Sequence, residues 1–252
     1  RPPMNIGYLA MNVQKEPFND RRVRLAVAHA INMPEIVEAF FGDTGQVASN
    51  PYPPTIPYFR EETEPYEYDP ERARRLLREA GLGDGFEAEL WYMPIPRPYM
   101  PDGKGIAQAM QRDLKEVGID VRLVTREWGT YLEETGRGAH DMCLLGWTGD
   151  NGDPDNFLNV LLSSKTATKT DAQNVAYYKN PELDRILERA ASTIDEDERR
   201  RLYVRAQEIV HEDAPWAPIA YAEPPLGFQN SVRGYHPSPT GGESFNSVKI
   251  SG

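Results

Sequence analysis

The chain has 252 residues, 39% hydrophobic and 27% charged, which is ample for a buried core and ordinary for a globular domain. A formal net charge of −11 with no dense Lys/Arg block excludes nucleic acid as a partner, because phosphate binding needs clustered cations. A single cysteine, Cys143, excludes an internal disulfide or a cysteine metal pair, and no apolar run approaches the ~18 residues of a transmembrane helix.

The chain opens at Arg1-Pro2-Pro3 without an initiator methionine, as expected of a processed protein or an excised piece. Residues 4–13 alternate loosely and predict a strand. Asn19-Asp20 caps a helix whose Val23, Ala26, Val27, Ala30 and Ile31 share one face. Pro34 restarts a short helix that stops at Gly42. Residues 48–68 are rich in proline and aromatics without a period, and predict an ordered loop across a surface.

Asp69-Pro70-Glu71 is a helix start, with a cap, a proline at the first position and an acid in the first turn. That helix ends at Gly81. Residues 86–93 predict a strand, followed by the loop PIPRPYMPDGKG and a helix with Ile106, Met110, Leu114 and Val117 in register. Ile119, Val121 and Leu123 alternate as a further strand, and 129–135 form a short helix before the apolar run from Met142 to Leu145. The rhythm is that of an α/β domain with a largely parallel or mixed sheet flanked by helices. Helices at 181–192 and 195–212, a strand at 216–222 and a proline- and glycine-rich tail with a last strand at 247–250 complete the reading. Trp91, Trp128, Trp147 and Trp216 lie in or beside strands; three are expected in the core, with Trp147 the exception because it abuts a glycine-rich turn.

The stretch from Leu144 to Leu162, LLGWTGDNGDPDNFLNVLL, carries the candidate chemistry. A strand ending in an acidic, glycine-rich turn before a helix places side chains at a sheet edge, where α/β proteins hold ligands. Asp150, Asp153 and Asp155 are candidates for metal, acid–base or ligand roles. The spacing is a poor calcium loop, since Pro154 interrupts it and Leu161 stands where a bidentate glutamate belongs. Asp153-Pro154-Asp155 also predicts a helix start, which leaves Asp150 as the carboxylate open to a ligand. Arg97 is the second candidate: prolines on both sides fix its backbone, and its guanidinium can grip a carboxylate through two parallel bonds. The four histidines are scattered, and no nucleophile elbow, P-loop or dinucleotide fingerprint occurs. No cofactor is expected. A hydrolase working through Asp150 and Asp153 remains the enzymatic alternative.

GWTGDNGDPDNF at 146–157, PFNDRRVRLAVAHAIN at 17–32, YDPERARRLLREAGL at 68–82, MPIPRPY at 93–99 and VTREWGTYL at 124–132 together resemble the solute-binding proteins of bacterial peptide ABC importers. The family is that of the family 5 extracellular solute-binding proteins, and the likeness is greatest to the dipeptide-binding group. The resemblance implies a type II periplasmic-binding-protein-like fold, of which this chain supplies the C-terminal lobe. It implies a crossover strand at 1–12, a ligand-binding α/β lobe at 13–222 and a return segment at 223–252 belonging to a first lobe that is missing, so the chain alone is expected to bind peptide weakly. Asp150 is similar in position to the aspartate that pairs with the ligand ammonium, and Arg97 to the arginine that pairs with its carboxylate. Gly146, Trp147, Thr148 and Gly149 correspond to the turn along the peptide backbone, and Tyr99 and Asn151 in the same two segments complete the expected set. The implied partners are a dipeptide or short peptide and the permease subunits in the membrane. The protein is expected to be a periplasmic or extracellular monomer, lipid-anchored through an upstream segment. The same fold also takes oligopeptides, haem, nickel or glutathione. Relatives can carry a cysteine pair just after the acidic turn, whereas Ser163, Ser164 and the following loop have none, so that loop is expected to be freer.

Overall fold

Asn5–Met11 (β1) is buried at every position. A strand with no solvent-facing side has to be covered on both faces, and β1 lies in the interior of a six-stranded sheet in the computed structural model, which describes residues 3–238 and 242–251. The other strands of that sheet are Gly45–Val47 (β2), Phe86–Trp91 (β3), Ile119–Val124 (β4), Met142–Thr148 (β5) and Trp216–Ala222 (β6), in spatial order β2-β6-β1-β5-β3-β4. The sheet is mixed: β3 runs parallel to β4 and β5, while β1 is antiparallel to both β5 and β6.

The helices are Arg21–Ala30 (α1), Met33–Phe41 (α2), Pro70–Glu79 (α3), Gly103–Glu116 (α4), Trp128–Gly136 (α5), Asp155–Leu162 (α6), Pro181–Ser192 (α7) and Glu196–Asp213 (α8). Their starts follow the chemistry of the chain. Asp20, Asp69 and Asp102 each accept a backbone N–H of the first turn, and Pro70 and Pro181 occupy positions where a missing N–H costs nothing. Helix α1 packs on α3, α4 on β4, and α7 on α8. Residues 48–68 contain no helix or strand, yet bury Ala48, Tyr52 and Ile56, and the Tyr221 hydroxyl holds Asn50 there by accepting its N–H at 2.8 Å.

After β6 the packing changes. Val232–Arg233 (β7) and Lys249–Ile250 (β8) pair only with each other, and Leu226, Phe228, Phe245 and Ile250 stand exposed. Among the described residues no helix is long and apolar enough to cross a membrane.

Candidate functional site

Strand β5 is the frame of the site. It pairs with β1 along its whole length, from Asn5 opposite Thr148 to Met11 opposite Met142, but with β3 only at Met142 and Cys143. Beyond that point the two strands part, and the Tyr131 hydroxyl bridges the gap, 2.7 Å from the Leu144 carbonyl and 3.2 Å from that of Trp91. In a ladder of this kind alternate residues aim both backbone groups to the same side. Since the Leu144 carbonyl faces away from β1, the N–H and C=O of Gly146 and Thr148 do so too, along an edge that no strand of the described residues covers.

Gly146 stands opposite Gly7 on β1, and these two glycines clear a trough for Tyr99. A Cβ on Gly146 would overlap the Tyr99 ring, and one on Gly7 would overlap its carbonyl oxygen. Tyr99 is therefore nearly buried, and burial pushes its phenol up from the ordinary range. It belongs to a tight turn in which Arg97 and Met100 exchange backbone hydrogen bonds of 3.0 and 2.9 Å. Arg97 emerges from that turn over the ring of Trp128, with the guanidinium carbon 5.1 Å from the ring centre. Trp128, expected in the core, opens α5 half-buried: one side packs against the core, stacked on Tyr131, and the ring also supports an arginine. Trp91 and Trp216 are buried as expected. Cys143 is buried too, and burial pushes its thiol up, which makes it packing rather than a nucleophile.

At the other end of β5 the Gly149 N–H donates to the Met4 carbonyl at 2.8 Å, and the chain turns away through Asp150 and Asn151. The three aspartates diverge here. Asp153 accepts the Asp155 N–H at 2.9 Å, but it stands one residue ahead of the N-cap position of α6, which Pro154 occupies without a side-chain cap, and its other oxygen holds Arg199 of α8 at 2.7 Å. Asp155 bonds Asn159 one turn on within α6. Asn151 accepts the Asp153 N–H at 3.0 Å, so its side chain shapes the turn. Asp150 is exposed and meets no cation among the described residues; its side chain is met by the amide of Asn156 at 3.3 Å. Arg97 likewise pairs with no carboxylate among the described residues. Acids with separate partners neither enclose a metal nor leave a second free carboxylate beside Asp150 for acid–base work.

A cavity of about 450 Å³ opens beside the free edge of β5. Tyr99, Gly146 and Trp147 line it, together with Trp128 from α5 and Tyr8 from β1, while Arg97 reaches its margin through the Trp128 ring. Asp150, Asn151, Thr148 and Gly149 lie at the strand end, outside this lining. The wall at 170–175 belongs to the loop expected to be freer for want of a cysteine pair, and it is held by hydrogen bonds instead. Asn174, fully buried, donates to Ser163 O at 3.1 Å and Tyr178 O at 2.8 Å, and the Tyr177 hydroxyl donates to Gly136 O at 2.7 Å. The residues that sequence reasoning missed are Trp128, Tyr8, Asn156 and Arg199. For Asn156 alone a local signal existed, its place one residue after the helix-start acid in DPDNF.

With its mixed sheet, flanking helices and an uncovered edge along the end of β5, the chain belongs to the bacterial extracellular solute-binding proteins of family 5, whose middle-region model matches residues 1–169. It is 39% identical over 249 residues to the dipeptide-binding protein of Escherichia coli (strain K12), covering 99% of this chain and 46% of that protein. It is equally 39% identical over 249 residues to heme-binding protein A of Haemophilus influenzae (strain ATCC 51907 / DSM 11121 / KW20 / Rd), covering 99% of this chain and 45% of that one. Among solved structures, the ABC transporter-associated periplasmic binding protein DppA from Helicobacter pylori, in complex with peptide STSA, superposes with a TM-score of 0.88 at 37% identity, covering 98% of this chain and 47% of that chain. The chain thus spans about half the length of the relatives it matches.

Proposed function

We propose that the chain is the ligand-binding lobe of a peptide-binding protein that serves an ABC importer, capturing dipeptides or short peptides and handing them to permease subunits. One observation carries this reading: Asp150 and Arg97, each without an oppositely charged partner among the described residues, flank a strand edge with free backbone groups and an adjoining cavity. A zwitterionic peptide answers all three features. Its ammonium meets Asp150, its carboxylate meets Arg97, and its backbone adds to the β5 edge at Gly146 and Thr148. Trp147, Gly149, Tyr99 and Asn151 shape that trough and turn. The distance between the two charges then gauges ligand length, because a buried charge without its partner costs several kcal/mol.

In this reading residues up to 12 carry the chain into the lobe, 13–222 form it, and 223–252 return to a first lobe. The exposed Phe228, Phe245 and Ile250 of the self-paired β7–β8 segment support that division. Residues 1, 2, 239–241 and 252 lie outside the described residues. The location that fits is the periplasm or cell exterior, with a lipid anchor upstream. Haem, nickel and glutathione are weaker readings. Among the described residues no His, Cys or Met lines the cavity to hold a metal, and His29 and His140 are buried.

Calorimetry of the full-length protein with dipeptides tests the proposal. Dipeptides are expected to bind, Asp150→Ala and Arg97→Ala each to weaken them at least tenfold, and N-acetylated or amidated peptides to bind poorly. Undiminished binding by the Asp150→Ala variant would sink the residue assignment.

A further inference from the structure

The chain holds a single Asn-Gly pair, Asn151-Gly152, and it lies in the turn between Asp150 and α6. Both residues are exposed, and the Gly152 N–H makes no hydrogen bond among the described residues. A Cβ built on Gly152 would meet nothing, and its backbone is not in the left-handed region, so neither packing nor backbone angle calls for glycine there. What the bare residue does is leave its nitrogen open to approach.

The Asn151 side chain is folded back over that main chain. Its Oδ1 accepts the Asp153 N–H at 3.0 Å, and the ring closed by this bond runs through both Asn151 Cγ and the Gly152 nitrogen. The same bond draws electron density from the amide carbonyl, as a donor in an oxyanion hole does.

Resting on the assignment of Asp150 as ammonium anchor, we propose that Asn151 is a self-modification site: it converts spontaneously to aspartate and isoaspartate, and the isoaspartyl form loses the ammonium end of the clamp. The Gly152 nitrogen gives up its proton and bonds to Asn151 Cγ, the Cγ–Nδ2 bond breaks, and ammonia leaves behind a cyclic imide. Water then opens the imide. Attack at Cγ gives aspartate in an ordinary main chain. Attack at the Asn151 main-chain carbonyl breaks its bond to the Gly152 nitrogen, so the chain runs through Cγ and the old carbonyl becomes the free carboxylate.

The second route lengthens the main chain of the turn by one carbon. The far end of the turn is pinned, since Asp153 is held by Arg199 at 2.7 Å and by the Asp155 N–H at 2.9 Å. The Asp150 carboxylate is held only by the Asn156 amide at 3.3 Å. The added length therefore falls on Asp150 and carries its carboxylate away from the strand edge.

The test is ageing of the full-length protein in warm neutral buffer, followed by peptide mass mapping, which reads the exchange of NH2 for OH, and by calorimetry with Ala-Ala. Asn151 is expected to convert well ahead of Asn230 and Asn246, which are exposed too but precede serines. The isoaspartyl protein is expected to bind at least about tenfold more weakly, the worth of one hydrogen bond to a charged group. Repair by an isoaspartyl methyltransferase with its methyl donor is expected to return part of that affinity. Gly152→Ala, whose methyl group meets no neighbour, is expected to fold, to bind Ala-Ala as the parent does and to keep that affinity on ageing. Conversion at Asn151 no faster than at Asn230, full binding by the isoaspartyl form, no return of affinity on repair, or undiminished ageing of Gly152→Ala overturns the proposal and leaves the Asp150–Arg97 clamp standing. Failure of the fresh protein to bind any dipeptide overturns the clamp and the consequence for binding with it, while the mass map still decides whether Asn151 converts.

Discussion

Asn156 grips Asp150 twice: its amide oxygen accepts the Asp150 backbone N–H at 2.9 Å, and its amide nitrogen donates to the Asp150 carboxylate at 3.3 Å. The same oxygen accepts the Trp147 indole N–H at 3.0 Å. One side chain at the start of α6 thus fixes both the candidate ammonium partner and the tryptophan beside the cavity. Asn156→Ala is expected to lower dipeptide affinity about tenfold by freeing Asp150, with a loss in stability of about 1 kcal/mol. Calorimetry and thermal melting on the same variant separate the two effects, and unchanged affinity would show that Asp150 needs no such support.

Trp128 plays the corresponding part for Arg97. A cation over a half-buried ring contributes about 0.5–1 kcal/mol, so Trp128→Ala is expected to weaken binding of a free dipeptide about two- to fivefold. The loss should be specific to the carboxylate end, so the affinity ratio between a dipeptide and its amide is expected to shrink. A ratio that stays constant would place the effect of Trp128 elsewhere.

The facing glycines bear on stability as much as on the site. Gly146→Ala or Gly7→Ala drives a methyl group into Tyr99. Overpacking of this kind costs about 1–3 kcal/mol, or about 5 °C in melting temperature for a chain of this size. Either variant is also expected to lose affinity, since Tyr99 and Arg97 share one turn. A Tyr99→Ala change made together with Gly146→Ala should not restore the melting temperature, since a Cβ at 146 also meets the Ile6 carbonyl oxygen at 2.5 Å and the lost ring leaves a cavity.

His140 ties stability to acidity. It is fully buried, its Nε2 sits 2.9 Å from the Val175 carbonyl, its Nδ1 has no partner among the described residues, and burial pushes its pKa down to about 4. In the unfolded chain the group titrates near 6.5, so between about pH 6.5 and 4 the unfolded state takes up a proton that the folded state refuses. Stability is therefore full above pH 6.5 and falls as the pH drops through that window, by about 3 kcal/mol from this residue. Burial holds His29 and His211 down as well, which adds loss in the same direction. Urea unfolding from pH 7 to pH 4.5 measures the slope, and His140→Gln is expected to flatten it.

What the sequence revealed was local. The DP and NP helix starts, the alternation of β4 and the apolar run of β5 are each set by neighbours within a few positions, and each was legible. Asp150 stood out because a helix start accounts for Asp153 and Asp155, and Arg97 because prolines on both sides fix its backbone. The rest depended on distance. Arg199 meets Asp153 from α8, 46 positions along the chain, and nothing around either residue announces the other. Trp128 looked like core because aromatics usually are, and only the fold brought Arg97 over it. The three-residue β2 was too short to show a period. The loose alternation of β1 gave no hint of a strand buried on both faces, since full burial arises from what packs around it.

The trough cut by Gly7 and Gly146 has a further consequence for how such a protein can change over time. Because Tyr99 is seated against the sheet itself, the turn that carries Arg97 takes its position from two strands rather than from the flanking prolines. The segment just ahead of the turn, 94–96, is then free to drift in sequence or gain a residue without moving the arginine, whereas Met93 is held in the core and Asp102 by its cap on α4. The two glycines and the tyrosine have no such latitude. Lineages that keep this turn should tolerate insertions just ahead of it while retaining all three, and a grafted loop should place its arginine correctly wherever the trough is intact.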